Sequence, residues 1–276
     1  MSCKIRNLEV FCEVIGEGKP VVMVHGMGVD HRTMKGCMEP VFQGRSDPWR
    51  RIYFDLPGMG CTKGVDWIAN SDDMYRFVSA FIDEIIPHES FLIVGESYGG
   101  YLARAVVRER PADVDGMLLI GPLVVADDKL RDVPSPLVLK RDAVLEEKLD
   151  DGERHFLDLF LVNQTAANWE RFQAEMLAGF ECGDPDFNAR VRGDIAAYTF
   201  TFDVDELAAP FEKPSLILTG RQDCLVGYRD AWKLLQNYPR SSFVVLDKAG
   251  HGMQIDQAGL FSTLVNEWLD RAGSDD

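Results

Sequence analysis

Phe91-Leu92-Ile93-Val94-Gly95-Glu96-Ser97-Tyr98-Gly99-Gly100-Tyr101-Leu102-Ala103-Arg104-Ala105-Val106-Val107 carries the strongest structural signal in this chain. The apolar run Phe91–Val94 predicts a buried strand, and the residues from Tyr101 to Val107 predict a helix. Between them the chain must turn sharply. Such a turn strains the backbone of its central residue and lifts that side chain above the sheet edge. Gly95 and Gly99 flank Ser97 where strand and helix would pass too closely for side chains. The free amides and positive dipole end of the helix point at the same place. In this setting Gly-x-Ser-x-Gly marks Ser97 as a candidate nucleophile; an ordinary strand–helix turn is the plain alternative.

Outward from this turn, the chain alternates short apolar strands with helices. Ile5 to Ile15 predicts two short strands with a turn near Asn7, and Pro20–Val24 a continuous apolar strand running into His25-Gly26-Met27-Gly28. Arg51–Phe54 predicts a strand ending in Asp55-Leu56-Pro57-Gly58-Met59-Gly60. A helix follows from Met74 to Ile86, with Ser71 and Asp72 as candidate caps. Gly116–Ile120 closes the first half as a strand, and alternation resumes at Ser215–Gly220. A helix around Asp230–Tyr238, a strand at Phe243–Leu246 and a helix over Gln257–Arg271 complete the pattern. Wholly apolar strands separated by helices imply a parallel sheet covered on both faces, with successive strand ends on one edge. Ligands bind at such an edge.

The interruption between these halves divides the chain into a core of residues 1–121 and 211–276 and an inserted segment of residues 122–210. The insertion predicts helices over Leu137–Leu149, Glu153–Val162, Asn168–Phe180 and Asp186–Thr199. Its large apolar groups place it as a cap over the serine, with packing of the insertion against itself as the plainer account of any one residue. Phe156, Phe160 and Trp169, together with Met253, are candidate substrate contacts.

Of 276 residues 46% are hydrophobic, enough to bury a sizeable core. Lys and Arg total 29 against 45 Asp and Glu, a formal charge of −16. That balance argues against general affinity for nucleic acid or anionic membranes. A small-molecule substrate is the expected partner, with no nucleic acid and no membrane, for a monomer or homodimer. Met1–Arg6 lacks the apolar core of a signal peptide, and no apolar run suits a membrane span. The six cysteines are dispersed without metal spacing, as expected of thiols in a cytoplasmic protein.

A serine hydroxyl needs a base to take its proton, and imidazole titrates near working pH. Of five histidines, His251 in Ala249-Gly250-His251-Gly252-Met253 follows the last predicted strand on a glycine-bounded loop. His31, His88 and His155 read as surface or packing residues. His25 reads as a shaper of its own loop, and Asp55 as a cap on the turn after it. The base needs a carboxylate to fix its tautomer. Asp223 lies on the loop after the preceding strand, and the order Ser97, Asp223, His251 suits this sheet. The alternative position after Ile120 reads Gly121-Pro122-Leu123, with Asp127 and Asp128 only further on. Backbone amides of Tyr98 and Met27 are the candidate donors for a developing oxyanion. No metal ligand set stands out.

These motifs, in this order and spacing, resemble the α/β-hydrolase superfamily over nearly the whole chain. The resemblance implies an α/β fold of eight mostly parallel strands with a helical cap inserted after the sixth, and no metal or organic cofactor. It looks like small esterases and like carbon–carbon hydrolases of meta-cleavage pathways. The latter usually carry Asn before the serine and an aromatic residue after the histidine, where this chain has Glu96 and Gly252. Prolyl aminopeptidases are similar but typically have His-Gly-Gly-Pro-Gly at His25-Gly26-Met27-Gly28. Ser97 excludes the usual dehalogenase chemistry, which needs an Asp nucleophile. Gly-Glu-Ser-Tyr also resembles serine carboxypeptidases, whose Glu helps hold a substrate carboxylate; the plain reading of Glu96 turns it to local backbone or water.

The expected activity is a cofactor-free serine hydrolysis of a small or medium, partly apolar carboxylic ester through an acyl-enzyme on Ser97. Hydrolysis of a carbon–carbon or amide bond by the same residues is the second expectation. A ligand-binding receptor on a hydrolase shell is the non-enzymatic one.

Overall fold

The computed structural model describes residues 2–274. Eight strands form one sheet: β1 (Ser2–Ile5), β2 (Leu8–Ile15), β3 (Lys19–Val24), β4 (Trp49–Phe54), β5 (Phe91–Glu96), β6 (Val114–Ile120), β7 (Ser215–Gly220) and β8 (Ser241–Leu246). Their spatial order is β1-β2-β4-β3-β5-β6-β7-β8. β1 and β2 run antiparallel, as do β2 and β4; the other neighbours are parallel. This is the α/β sheet of eight mostly parallel strands that the family resemblance implies.

The burial pattern explains the sequence pattern. Every residue of β5 and of β7 is buried, because helices cover both faces of the central strands. β2, nearer an edge, buries alternate residues over its first half. On one face lie α1 (His31–Gln43) and the C-terminal helix Ala258–Gly273, which share a core of Met34, Met38, Phe261 and Trp268 with the sheet. On the other face lie α2 (Ser71–Ile85) and α3 (Tyr98–Glu109), packed through Phe77, Phe81, Leu102 and Val106. Each such fully buried side chain contributes about 1.5–3 kcal/mol.

Helix α2 starts from Asn70, whose side chain accepts the amide of Asp73. The candidate caps Ser71 and Asp72 are occupied elsewhere. Ser71 Oγ donates to the carbonyl of Tyr198 and shares a hydrogen bond with the Tyr98 hydroxyl, while Asp72 accepts from the amide and hydroxyl of Thr201. Long-range bonds outcompete a local cap here.

The segment from β6 to β7 is built of short helices: α4 (Asp151–Phe160), α5 (Ala166–Phe172), α6 (Pro185–Gly193) and α7 (Ile195–Tyr198). A π-helical turn at Gln173–Leu177 joins α5 to a further helix, Ala178–Cys182. The helix expected over Leu137–Leu149 does not form. Lys140–Arg141 instead pairs with Asn163–Gln164, and Asp142 caps a single turn at Ala143–Glu146. The Val162 carbonyl accepts the amides of Leu139 and Lys140, and the side chains of Leu137 and Leu139 are exposed.

The segment packs in two ways. Its first half gathers Leu157, Phe160, Trp169, Phe172 and Met176 into a cluster of its own with Val29 and Ile255. Its second half sends Phe187, Val191, Tyr198 and Phe200 into the main core beside α2 and α3. Among the described residues no helix is long and apolar enough to cross a membrane.

Candidate active site

Ser97 sits between β5 and α3 with φ 52° and ψ −115°. A non-glycine residue held there costs on the order of 1–3 kcal/mol, which the surroundings must supply. They do so through the backbone: Ser97 N–H donates to the Ile120 carbonyl at 2.9 Å, and its carbonyl accepts the amides of Gly100 and Leu123. A Cβ on Gly99 would lie 2.1 Å from the Val24 carbonyl oxygen, and one on Gly95 would lie 2.4 Å from that of Gly99. The turn therefore has no room for a larger residue at either place. Tyr98 opens α3, so its N–H has no partner within the helix.

His251 and Asp223 meet across two loops. His251 Nδ1 lies 2.8 Å from Asp223 Oδ2, and both side chains are buried. Asp223 Oδ1 accepts the amides of Leu225 at 2.8 Å and Val226 at 3.1 Å. Burial by itself would raise the Asp223 pKa; pairing with His251 and the two amides outweigh it and hold the carboxyl below its usual range. An ionised Asp223 makes Nδ1 the protonated nitrogen and leaves the lone pair on Nε2. Burial by itself would depress His251, but Asp223 and then Glu96 prevail, and its pKa lies above the ordinary imidazole value.

The loop carrying His251 is anchored by a residue with no sequence signal. Asp256 accepts the amides of Gly250 at 2.9 Å, Val162 at 3.1 Å and Asn163 at 2.9 Å. The Phe160 carbonyl takes the amide of Gly252 at 2.8 Å. The histidine loop and the inserted segment are thus tied together.

Glu96 departs from its plain reading. It is buried, its Oε1 lies 3.7 Å from His251 Nε2, and its Oε2 has no hydrogen-bond partner. Burial raises its pKa, with His251 and the Gly26 amide offsetting part of the rise. The missing Cβ of Gly26 leaves space for this carboxyl, since a Cβ there would lie 2.3 Å from Oε2.

Ser97, Glu96 and His251 line one cavity of about 120 Å³, together with Gly26 and Met27. Phe156 and Phe160 contribute to its wall, as expected; the Phe160 ring stands 5.5 Å from that of His251. Trp169 and Met253 do not. Trp169 stacks on Phe172 within the cluster of the insertion, and Met253 is buried in the core beneath the sheet edge. The wall also includes Arg131, Arg192, Tyr198, Leu225 and Val226, none of which the sequence singles out.

The neighbouring histidines have other work. His25 Nε2 accepts the Leu56 amide at 2.9 Å and its Nδ1 donates to the Gly26 carbonyl at 2.8 Å; burial keeps it neutral. His31 bonds Asp55, which also accepts the Cys61 amide and so holds the turn after β4. Asp30, His31 and Asp55 lie within reach of one cation, but Asp30 is already engaged by Arg32 and Asp55 by His31.

The profile of the alpha/beta hydrolase family matches residues 21–263. The chain is 23% identical over 270 residues to the pimeloyl-(acyl-carrier protein) methyl ester esterase of Legionella pneumophila (strain Corby), covering 95% of this chain and 100% of that protein. It is 24% identical over 271 residues to 2-hydroxy-6-oxononadienedioate/2-hydroxy-6-oxononatrienedioate hydrolase 2 of Pseudomonas putida, covering 95% and 92%. A crystal structure of an alpha/beta superfamily hydrolase from Oenococcus oeni PSU-1 superimposes with a TM-score of 0.87 at 27% identity, over 99% of this chain and 100% of that one. Relatives of this kind are esterases and other hydrolases, and this chain belongs to the alpha/beta hydrolase family.

Proposed function

We propose that the protein is a serine hydrolase of small, partly apolar carboxylic esters, with Ser97 as nucleophile, His251 as base and Asp223 as its orienting acid. The observation that carries this reading is the buried His251–Asp223 pair at 2.8 Å beside the cavity that Ser97 also lines. Ser97 Oγ attacks the ester carbonyl carbon and its proton passes to His251 Nε2. The oxyanion rests on the amides of Tyr98 and Met27, each worth about 3 kcal/mol in the transition state. Collapse expels the alcohol, which takes the proton from His251 and leaves an acyl group on Ser97. Water then gives a proton to His251 and attacks the acyl carbon, and the acid departs as Ser97 recovers its hydrogen.

The names of relatives support hydrolysis of an ester, and Glu96 and Gly252 stand where carbon–carbon hydrolases usually differ. Residues 122–210 serve as the cap. Its first half is tied to the histidine loop through Asp256 and the Phe160 carbonyl, and its second half is held in the main core. Treatment with a small fluorophosphonate should modify Ser97 stoichiometrically and abolish turnover of short esters, read by peptide mass. Full turnover by protein quantitatively labelled at Ser97 would overturn the assignment.

A second expected outcome concerns pH. Only neutral imidazole can accept the serine proton, so kcat/KM falls as pH drops through the His251 pKa. Asp223 and Glu96 hold that pKa up, while Arg131 and burial act the other way. Glu96→Gln removes one negative partner, so the acidic limb should move to lower pH. An acidic limb unchanged from the wild type would mean that Glu96 exerts no charge on His251.

A further inference from the structure

Arg131 and Arg192 are misplaced charges for an apolar-substrate pocket. Elsewhere arginines meet acids: Arg104 pairs with Asp205, Arg171 with Glu175, Arg32 with Asp30. Among the described residues neither Arg131 nor Arg192 has a carboxylate within 4 Å, yet both line the Ser97 cavity. Arg131 is half-buried, and its Nε, Nη1 and Nη2 donate to the carbonyls of Val125, Leu225 and Ala126, each at 2.8 Å. Three of its five N–H donors are used in this way, which fixes the guanidinium without neutralising it. Burial works against its charge, but guanidinium remains protonated near neutral pH. Tyr198 stands beside both, buried and stacked on Tyr98, and its hydroxyl has no hydrogen-bond partner among the described residues. Burial pushes its pKa up to about 12, with Arg192 and Arg131 pulling downward, so it keeps its proton as a donor.

The same three residues also line an outer recess with Ala126, Asp127, Asp128 and Lys129. They therefore form the partition between that recess and the catalytic cavity. On the recess side Asp127 caps a turn through the Lys129 amide, and the solvent-exposed Asp128 acts on Arg131 without forming an ion pair with it. Apart from Glu96, which faces His251 at the catalytic end, the rest of the cavity wall includes Leu123, Phe156, Leu159, Phe160 and Val226. One end is thus built for acyl transfer, the wall is apolar, and the partition is cationic with unspent donors.

Resting on the Ser97 reading above, we propose that the natural substrate is a small ester bearing a carboxylate, which Arg131, Arg192 and Tyr198 bind while Ser97 attacks the ester carbonyl. Guanidinium offers a planar pair of N–H groups matched to a carboxylate. The cavity of about 120 Å³ holds roughly ten water-sized groups, enough for a short half-ester.

The test compares isosteric substrates by proton release. Methyl hydrogen glutarate is set against methyl 5-oxohexanoate for charge on the acyl side, and 3-acetoxypropanoate against 4-acetoxy-2-butanone for charge on the alcohol side. In one pair the wild type should favour the carboxylate roughly 10- to 100-fold in kcat/KM, the range of charge-assisted hydrogen bonds. Arg192→Gln should lower that ratio, with Arg131 retaining part of it, Arg192→Glu should lower it further, and Arg192→Lys should keep more of it than Arg192→Gln does. Arg192 is exposed, and a melting curve verifies that each variant folds. Ser97-dependent turnover with no carboxylate preference in either pair would overturn this inference and leave the esterase reading standing. Preference for a phosphonate in place of the carboxylate would overturn the assignment of the anion. Absence of Ser97-dependent turnover for all four esters would overturn both readings together.

Discussion

Ser97→Ala is expected to lower ester turnover by about 10⁶ in kcat, the loss seen when a nucleophile that acts as a unit with its base is removed. The whole covalent route depends on Oγ, because the hydroxyl of the adjoining Tyr98 is engaged by Ser71. Alanine can adopt the φ of 52° no worse than serine, so the variant should fold with the wild-type melting temperature. That comparison separates chemistry from stability. The residual rate should lie near 10³–10⁴ over water, supplied by binding and the oxyanion donors alone. Steady-state kinetics on a short ester, with a melting curve for each protein, makes the measurement. Activity within tenfold of the wild type would require a different nucleophile.

Asp223→Asn should reduce kcat by about 10⁴ while leaving the fold intact. The asparagine oxygen can still accept the amides of Leu225 and Val226, which hold this loop. Its amide nitrogen then faces His251 Nδ1 and donates, where the carboxylate accepted. The imidazole is driven to the tautomer with its proton on Nε2, and that nitrogen can no longer take the serine proton. Burial, which already acts against a charged His251, would lose its main opponent. The acidic limb of the profile should therefore shift to lower pH while the plateau falls. A plateau within tenfold of the wild type would transfer the orienting role to another acid.

The elbow and the two loop residues were readable for a common reason. Covalent order places His25, Ser97, Asp223 and His251 just after apolar strands, and parallel strands end on one edge. Local chemistry at those ends is severe enough to constrain residue type: the closeness of Gly99 to Val24 tolerates no side chain. The insertion was less readable. Leu137–Leu149 has helical periodicity, but strand pairing with Asn163–Gln164 decided its backbone. Trp169 and Met253 have the composition of a pocket wall and the location of a core. Apolar side chains satisfy either destination equally, so only packing distinguishes them.

Read alone, the amino-acid order specified an α/β sheet, the turn that strains Ser97, and the candidacy of His251 and Asp223, because backbone sterics and strand periodicity act within a few residues. The folded molecule decided what surrounds the reacting groups. It turned Glu96 toward His251, spent Asp256 on three amides, and brought Arg131 and Arg192 together beside Tyr198. Those outcomes depend on which polar groups lose water together and on which partners remain for them, and such neighbours are set by contacts between segments far apart in the chain.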